Sequence, residues 1–553
     1  MTFNKEKMKN LIEQNLLNYV GMRSDTNSGL ENNIENFFNN WFSKVEYYKN
    51  NPEKCGFFEI PDDYLKRKVP WCILKGQGND TVVFIHHYDC VETKVYGVFE
   101  PLSLKPYELE EAFKDNSSQL PTKIQEDLYS NEWIFGRGVC DMKGGGAIQL
   151  SLIEEYSKNE YFKGNIVLVS VSDEENISAG MRAAVLKLKE LKDKYELEYK
   201  LMLNSEPHER DDASKPKIYD GSIGKVLSAV YVRGKLAHIG QVYSGLNPIN
   251  ILSEIIRRTE LNADFIEKKG NTTSPPPTWL YHKDRKTIYD VSLPIATCGC
   301  MSILPLESTP MSLMEDLKKI CIDSFEKVVE ELNESYKKYA AIAGIEFEKI
   351  IFEPKVSLYS ELYEEALKDS DNKFEKVYKS IISEVKEKFN KNELSIIDAS
   401  NLIVENTLKY VNDLSPCIIL ALIPPYYPSV NNMMLEEKAE NINNSIKNLK
   451  EYLMDKYNEE YVVQNYFWGI SDLSYAMNTL NQGNIDYIET NMLMWKDIYY
   501  IPLEKIKEIS MPVLNIGPWG KDIHKYTERV YKEDLFYRIP ELIDLFLIRL
   551  FNI

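Results

Sequence analysis

Four separated segments of the chain carry side chains of the kinds that ligate cations: HHYD at residues 86–89, GVCDMKGG at 138–145, SDEEN at 172–176 and GKDIHKYTERV at 520–530. LNSEP at 203–207 adds a further carboxylate, Glu206. Imidazole and carboxylate groups gathered around paired cations can activate water and polarise a scissile bond, so this set suits a two-metal hydrolytic site better than a structural role.

His87 and Asp89 are two apart at the end of an apolar run, so their side chains can point the same way. A ligating His commonly gives its other ring proton to a carboxylate, which fixes its tautomer, and Asp89 suits that task. His86 faces away and reads as structural. Asp141 sits in a Gly-rich turn ahead of a helix, where a carboxylate can offer one oxygen to each of two cations while the glycines permit close approach. Viewed alone, a helix cap after a Gly-rich turn is the lesser alternative. In SDEEN one acid can ligate while its neighbour carries protons, which assigns Glu175 to metal and Glu174 to acid–base work; a solvated acidic loop is the bland alternative. Glu206 follows another apolar run, with His208 as a competing ligand, and His524 follows the run 511–516.

The elements that must position these residues are those of an α/β domain. Residues 80–86, 165–171 and 197–204 read as strands, and 146–158 and 179–194 as helices. Each candidate lies just past the C-terminal end of a strand, where open α/β sheets place their sites. After Gly221 the pattern changes. GKVLSAVYVRGKLAH reads as a half-exposed strand, 248–258 as a helix, TTSPPPTWL as a loop, and 312–345 and 360–390 as charged helices with solvated faces. Strand character returns at 417–423, PPYYP reads as a constrained loop, and a helix near 472–480 leads to the strand at 511–516.

At 553 residues and 44% hydrophobic content, 12% aromatic, the chain can bury the cores of two domains or more. A net charge of -19 repels a phosphate backbone on average and argues against a nucleic-acid partner. The N-terminus lacks a signal-peptide pattern, and no window of about 18 uncharged apolar residues occurs, which disfavours export and membrane spanning. Eight sparse cysteines fit reduced thiols in a cytosol, and Cys298 and Cys300 read as half-buried strand positions rather than a metal site.

GRGVCDMKGG followed by SDEEN, with HHYD before them and His524 near the end, resembles the M20 family of metallo-hydrolases over essentially the whole length. The resemblance implies a zinc-peptidase-like α/β catalytic domain, its central mixed sheet flanked by helices, formed by residues 1–222 and 412–553. A smaller α+β lid or dimerisation domain with a helical insertion, residues 223–411, interrupts it. It implies two divalent ions, zinc foremost, with cobalt and manganese also suited to these ligands. His87, Asp141 and Glu206 would surround one ion and Asp141, Glu175 and His524 the other, with Glu174 as general base and Asp89 behind His87. GKLAHIGQVYSGLNPI at 234–249 resembles the family's lid motif. That implies a role for His238 in holding the oxyanion, from its own or a neighbouring subunit, and for Asn247 in binding substrate.

The family's substrate-gripping arginine is not evident in TCGCMSILPLESTP; Arg257, Arg258 and Arg285 are the substitutes, each otherwise an ordinary surface arginine. PPYYP and FWGISDLSYA mark one branch of the family, in which Asp472 is expected near the pocket without ligating. The implied reaction is hydrolysis of an amide in an N-acyl amino acid, short peptide or arginine-related compound, by a cytoplasmic enzyme that can dimerise through its lid. The alternatives are a dipeptidase or aminopeptidase requiring a free terminus, and a catalytically weak binding protein, against which the retained base and five ligands count.

Overall fold

The apolar runs that end in ligand-type residues lie side by side in one sheet. In the computed structural model, which describes residues 4–551 apart from 211 and 287, the chain first lays down β1 (Cys55–Glu59), β2 (Lys68–Lys75), β3 (Gln77–His87), β4 (Lys163–Val171), β5 (Glu198–Asn204) and β6 (Lys217–Tyr219). It then builds β7 (Lys225–Arg233), β8 (Thr278–Asp284), β9 (Ala296–Ile303), β10 (Val356–Leu358) and β11 (Cys417–Tyr427), and closes with β12 (Val462–Gln464) and β13 (Val513–Asn515). An eight-stranded mixed sheet has the order β1-β2-β4-β3-β5-β13-β6-β12, and a five-stranded sheet the order β8-β9-β7-β11-β10.

In the larger sheet β3 pairs in parallel with β4 and β5, and β5 in parallel with β13, so four strand ends open on one edge. Alternate residues of β3 face opposite layers. Val82 and Phe84 pack with α1 (Lys5–Val20) and α2 (Lys143–Tyr156), whereas Val83 and Ile85 pack with α3 (Ala179–Tyr195). Burial on both faces explains why the run shows no polar alternation. The glycines opening α2 let it press on the strand ends: a Cβ at Gly145 would lie 2.2 Å from the Ser205 carbonyl oxygen.

The second sheet departs from the expectations at β7 and at β11. β7, read as half-exposed, is the central strand and is buried almost throughout. Val226, Val230 and Val232 face α4 (Pro248–Thr259) and α5 (Pro310–Ala343). Leu227, Ala229 and Tyr231 face α6 (Tyr359–Asp369), α7 (Phe374–Asn390) and α8 (Ile396–Leu408), so the charged helices bury an apolar stripe as well as presenting a solvated face. Ser228, which reads as a solvent position, lies against the sulfur of Met314.

β11, read as the start of the return to the first domain, instead pairs with β7 and β10 in the second sheet, so the change of sheet follows residue 427 rather than 411. An uninterrupted apolar strand fits any sheet covered on both faces, which is why its pattern did not choose between them. Its last residues are the PPYY of PPYYP, expected as a loop; the Pro424–Pro425 bond is cis and the register shifts between Ile423 and Tyr427. The helix expected near 472–480 is a single turn, Asp472–Tyr475, followed by a helix at Gln482–Asn491. Cys298 and Cys300 are fully buried, and the cysteines are all unpaired. No helix among the described residues is long and apolar enough to cross a membrane.

Candidate metal centre

β3 ends in His87, whose buried ring has Nδ1 2.9 Å from the backbone oxygen of Asp89, leaving Nε2 to face the cluster. Nε2 lies 3.0 Å from Asp141 Oδ1, 3.6 Å from Glu206 Oε1 and 3.9 Å from Glu174 Oε2. The second Asp141 oxygen, Oδ2, lies 3.1 Å from His524 Nε2, which is itself 2.9 Å from Glu175 Oε1. Two groups able to hold a cation therefore share Asp141: His87–Asp141–Glu206 and Asp141–Glu175–His524. His87, Glu174 and Glu175 form a further such group. His208 does not compete with Glu206, because its Nδ1 is 2.9 Å from the Gly517 carbonyl oxygen and its Nε2 accepts from Arg210.

The loops that carry these groups are tied down by buried polar contacts. The Asp89 carboxylate does more for the tandem acids than for His87. Its nearer oxygen is 3.6 Å from the ring, while its two oxygens accept the backbone N–H groups of Glu174 (3.1 Å) and Glu175 (3.2 Å). Asp173 accepts from Ala179 N at the start of α3 and from buried Arg67, which also reaches Glu31. His86, as expected, is structural, between Tyr19 and Gln149.

Sequence reasoning passed over the pair that joins the two ends of the centre. Glu528, fully buried, accepts N–H groups of Gly138 (2.8 Å), Cys140 (3.3 Å) and Asp141 (3.3 Å) together with the Arg137 guanidinium. Arg137 also donates to the His524 carbonyl oxygen at 2.9 Å. The turn bearing Asp141 and the loop bearing His524 are thereby held by one buried ion pair. The available signal was a Glu four residues after His524 and an Arg four residues before Asp141.

The electrostatics call for cations. Burial, reinforced by neighbouring acids, pushes the carboxyls of Glu174 and Glu206 well above the usual range and raises that of Glu175. Burial alone would lower His87, yet Glu206, Asp141 and Asp89 together raise it well above the ordinary imidazole value. Hydrogen bonds to Asp141 and Glu175 hold His524 at about 10. Such crowding of buried acids is costly unless positive charge is supplied, and a set of carboxylate oxygens with two imidazoles fits a divalent ion. Asp472 lies close enough to add its field to Glu174 and Glu206 but belongs to neither ligand group; its buried oxygens have no hydrogen-bond partner among the described residues, and burial pushes it up to about 7.

The candidates from the second sheet are not brought into this cluster by any hydrogen bond or ion pair. His238 is exposed, its Nδ1 accepting the Gly240 N–H at 3.1 Å. Asn247 caps α4 by accepting the Ile249 N–H at 3.0 Å. Arg257 and Arg258 both pair with Glu254, and Arg285 with Glu405.

Comparison with known proteins accords with this geometry. The chain is 32% identical over 504 residues to the uncharacterized protein YqjN of Bacillus subtilis (strain 168), covering 90% of this chain and 88% of the relative. It is 29% identical over 517 residues to protein RocB of the same organism, covering 92% and 89%. Its fold resembles those of aminopeptidase PepT from Bacillus cereus (TM-score 0.52, 13% identity, 98% of each chain) and the di-peptidase Dug1p from Saccharomyces cerevisiae (TM-score 0.53, 10% identity, 100% of each chain). Residues 114–545, a span running from before the Asp141 turn to beyond His524, match peptidase family M20/M25/M40. The chain therefore belongs to that family, and is a metallo-hydrolase acting on peptide or amide C–N bonds.

Proposed function

We propose that the enzyme uses two divalent cations to cleave the amide bond of a small N-acyl amino acid or short peptide, arginine-related compounds included. The observation that carries this reading is the placement of the two Asp141 oxygens, one toward His87 and one toward His524, so that a single carboxylate is common to two ligand groups. His87, Asp141 and Glu206 would hold one ion and Asp141, Glu175 and His524 the other; zinc is the foremost candidate, with cobalt and manganese suited to the same donors. Bound there, the ions supply Lewis-acid polarisation of the substrate carbonyl and acidify water.

The chain's own residues move the protons. Glu174 belongs to neither group that shares Asp141, and it accepts a proton from the attacking water and returns it to the departing amine. Its burial favours the protonated form it must hold between the two transfers. Asp89 keeps it in reach through its backbone N–H. His238 stabilises the developing negative charge on the carbonyl oxygen, brought in by movement of the second sheet or by a second copy docked through it, and Asn247 contributes to substrate binding. We assign the enzyme to the cytoplasm.

A free-terminus peptidase is the second reading. Asp472, buried close enough to Glu174 to act on its charge, is a group that a substrate ammonium would neutralise. The relatives by fold include an aminopeptidase and a di-peptidase. Elemental analysis of protein purified without chelator, paired with hydrolysis of N-acyl amino acids and unblocked dipeptides including arginine derivatives, tests both. About two equivalents of metal and chelator-sensitive turnover are expected, and the preferred half of the panel separates the readings. No metal uptake after supplementation and no turnover would leave a binding protein on a hydrolase scaffold.

A further inference from the structure

A cavity of about 480 Å³ is walled by Pro207, Glu209, Tyr219, Phe467, Trp468 and Ile523 among others, two of them next in sequence to candidate ligands. Pro207 follows Glu206 and Ile523 precedes His524, so the wall begins where two of the candidate ligands end. The segments carrying them are joined by bonds from His208 N–H to the Pro518 oxygen and from Gly520 N–H to the His208 oxygen, both 3.0 Å. The facing wall comes from FWG at 467–469, near the far edge of the eight-stranded sheet. It is anchored by Phe467 N–H to the Gly221 oxygen (2.9 Å) and Ile223 N–H to the Phe467 oxygen (3.0 Å), with the Tyr219 and Phe467 rings 5.1 Å apart edge to face.

Within this anchored segment Tyr466 and Leu473 are fully buried, yet Trp468 is 49% exposed at the cavity. A large ring half-exposed in the wall of a concave site offers a flat apolar face on which a ligand ring or chain can stack. The volume falls within the roughly 300–1,000 Å³ typical of small-ligand sites. Glu209 and Lys217 place one charge of each sign in the lining, so the walls do not select strongly for an ionic group.

We propose that this cavity is the specificity subsite of the enzyme: it receives an aromatic or long apolar side chain or acyl group of the substrate against Trp468, and so orients the scissile bond over the cluster. The proposal rests on the amidohydrolase reading of the centre. Its test is a matched series of N-acetyl amino acids and dipeptides, with Gly, Ala, Leu, Phe, Trp or Arg on each side of the bond, turned over by the metal-loaded enzyme and by Trp468→Ala and Trp468→Phe. Calorimetric binding of N-acetyl-phenylalanine and N-acetyl-alanine accompanies it. The Phe or Trp members on one side should exceed Ala by about tenfold or more in kcat/KM. Trp468→Ala should narrow that ratio below about threefold, and Trp468→Phe should keep most of it.

Equal rates for Ala and Phe members in the native enzyme, or a preference that survives Trp468→Ala, would overturn the subsite. So would a preference for Arg that Glu209→Gln abolishes. If nothing is turned over but the binding preference for N-acetyl-phenylalanine is present and lost in Trp468→Ala, the subsite stands and the hydrolytic reading falls; if neither turnover nor preferential binding is seen, both fall.

Discussion

His87 and His238 show how differently the two sheets set a candidate histidine. His87 closes a buried parallel strand, 1% exposed, with one ring nitrogen fixed by the Asp89 carbonyl oxygen and the other facing Asp141. His238 is exposed past β7, its backbone in a bridge with Ser292, and among the described residues its ring accepts only a backbone N–H two residues on. His524 lies between these extremes: its ring is half-exposed, but its backbone is held by Arg137 and thus by Glu528. The candidate cation-binding edge is assembled by folding itself, in the manner of preorganised electrostatic sites, whereas the oxyanion role proposed for His238 requires that the histidine be delivered to the cluster.

The sharpest way to break this contrast is at Glu174. Glu174→Gln should lower kcat by a factor of about 100 to 10,000 while metal content stays that of the native protein. Loss of metal along with activity would instead make Glu174 a ligand, as the grouping His87–Glu174–Glu175 permits. His238→Ala should cost about 100- to 1,000-fold in kcat, also with metal retained. Mixing His238→Ala with Glu174→Gln protein then sharpens the comparison. Activity restored in the mixture places the histidine of one copy over the base of another, while no restoration points to movement within one chain.

The same contrast decided what could be read from the residues alone. Parallel strands buried on both faces are continuous apolar runs, and His87, Glu174, Glu175 and Glu206 stand at or just past their C-terminal ends, so the candidate cluster is legible together with β3, β4 and β5. That pattern carries no label for which sheet a strand enters, so β11 fits either one, and β7 reads as half-exposed because Ser228 and Ala229 are small, although both are buried. Asp89 was found, but its spacing from His87 said nothing of the Glu174 and Glu175 N–H groups it holds. Glu528 escaped entirely, since its partner Arg137 is 391 residues away and a lone Glu on a polar stretch has no periodicity to betray it.

Glu528 therefore offers a finer test of preorganisation. Glu528→Gln keeps the shape but removes the charge opposite Arg137 and weakens the acceptor for three N–H groups of the Asp141 turn. Cation affinity should fall by about 10- to 100-fold, as for other residues that orient ligands without touching metal. Calorimetric titration of metal into chelator-treated protein measures it. Unchanged affinity with lower thermal stability would make the pair a fold-holding device with no bearing on the centre.

The smallest expected effect is a pH dependence at His524. In the metal-free protein its pKa is held at about 10 by hydrogen bonds to Asp141 and Glu175, above the roughly 6.5 of an unfolded chain. A group whose folded value is raised contributes stability that is fully present below the unfolded value, so this contribution is lost as pH rises from about 6.5 through about 10. A cation needs the neutral ring, and its binding strengthens over the same window as fewer protons must be displaced. Melting temperatures with and without chelator should therefore diverge as pH rises, and His524→Ala should flatten the dependence. The shift should be modest because the ring is half-exposed and screened. A gap that stays constant with pH in the native protein would mean that the imidazole gives up no proton to metal, and His524 would then fall on the side of His238, a residue near the reaction but outside the ligand set.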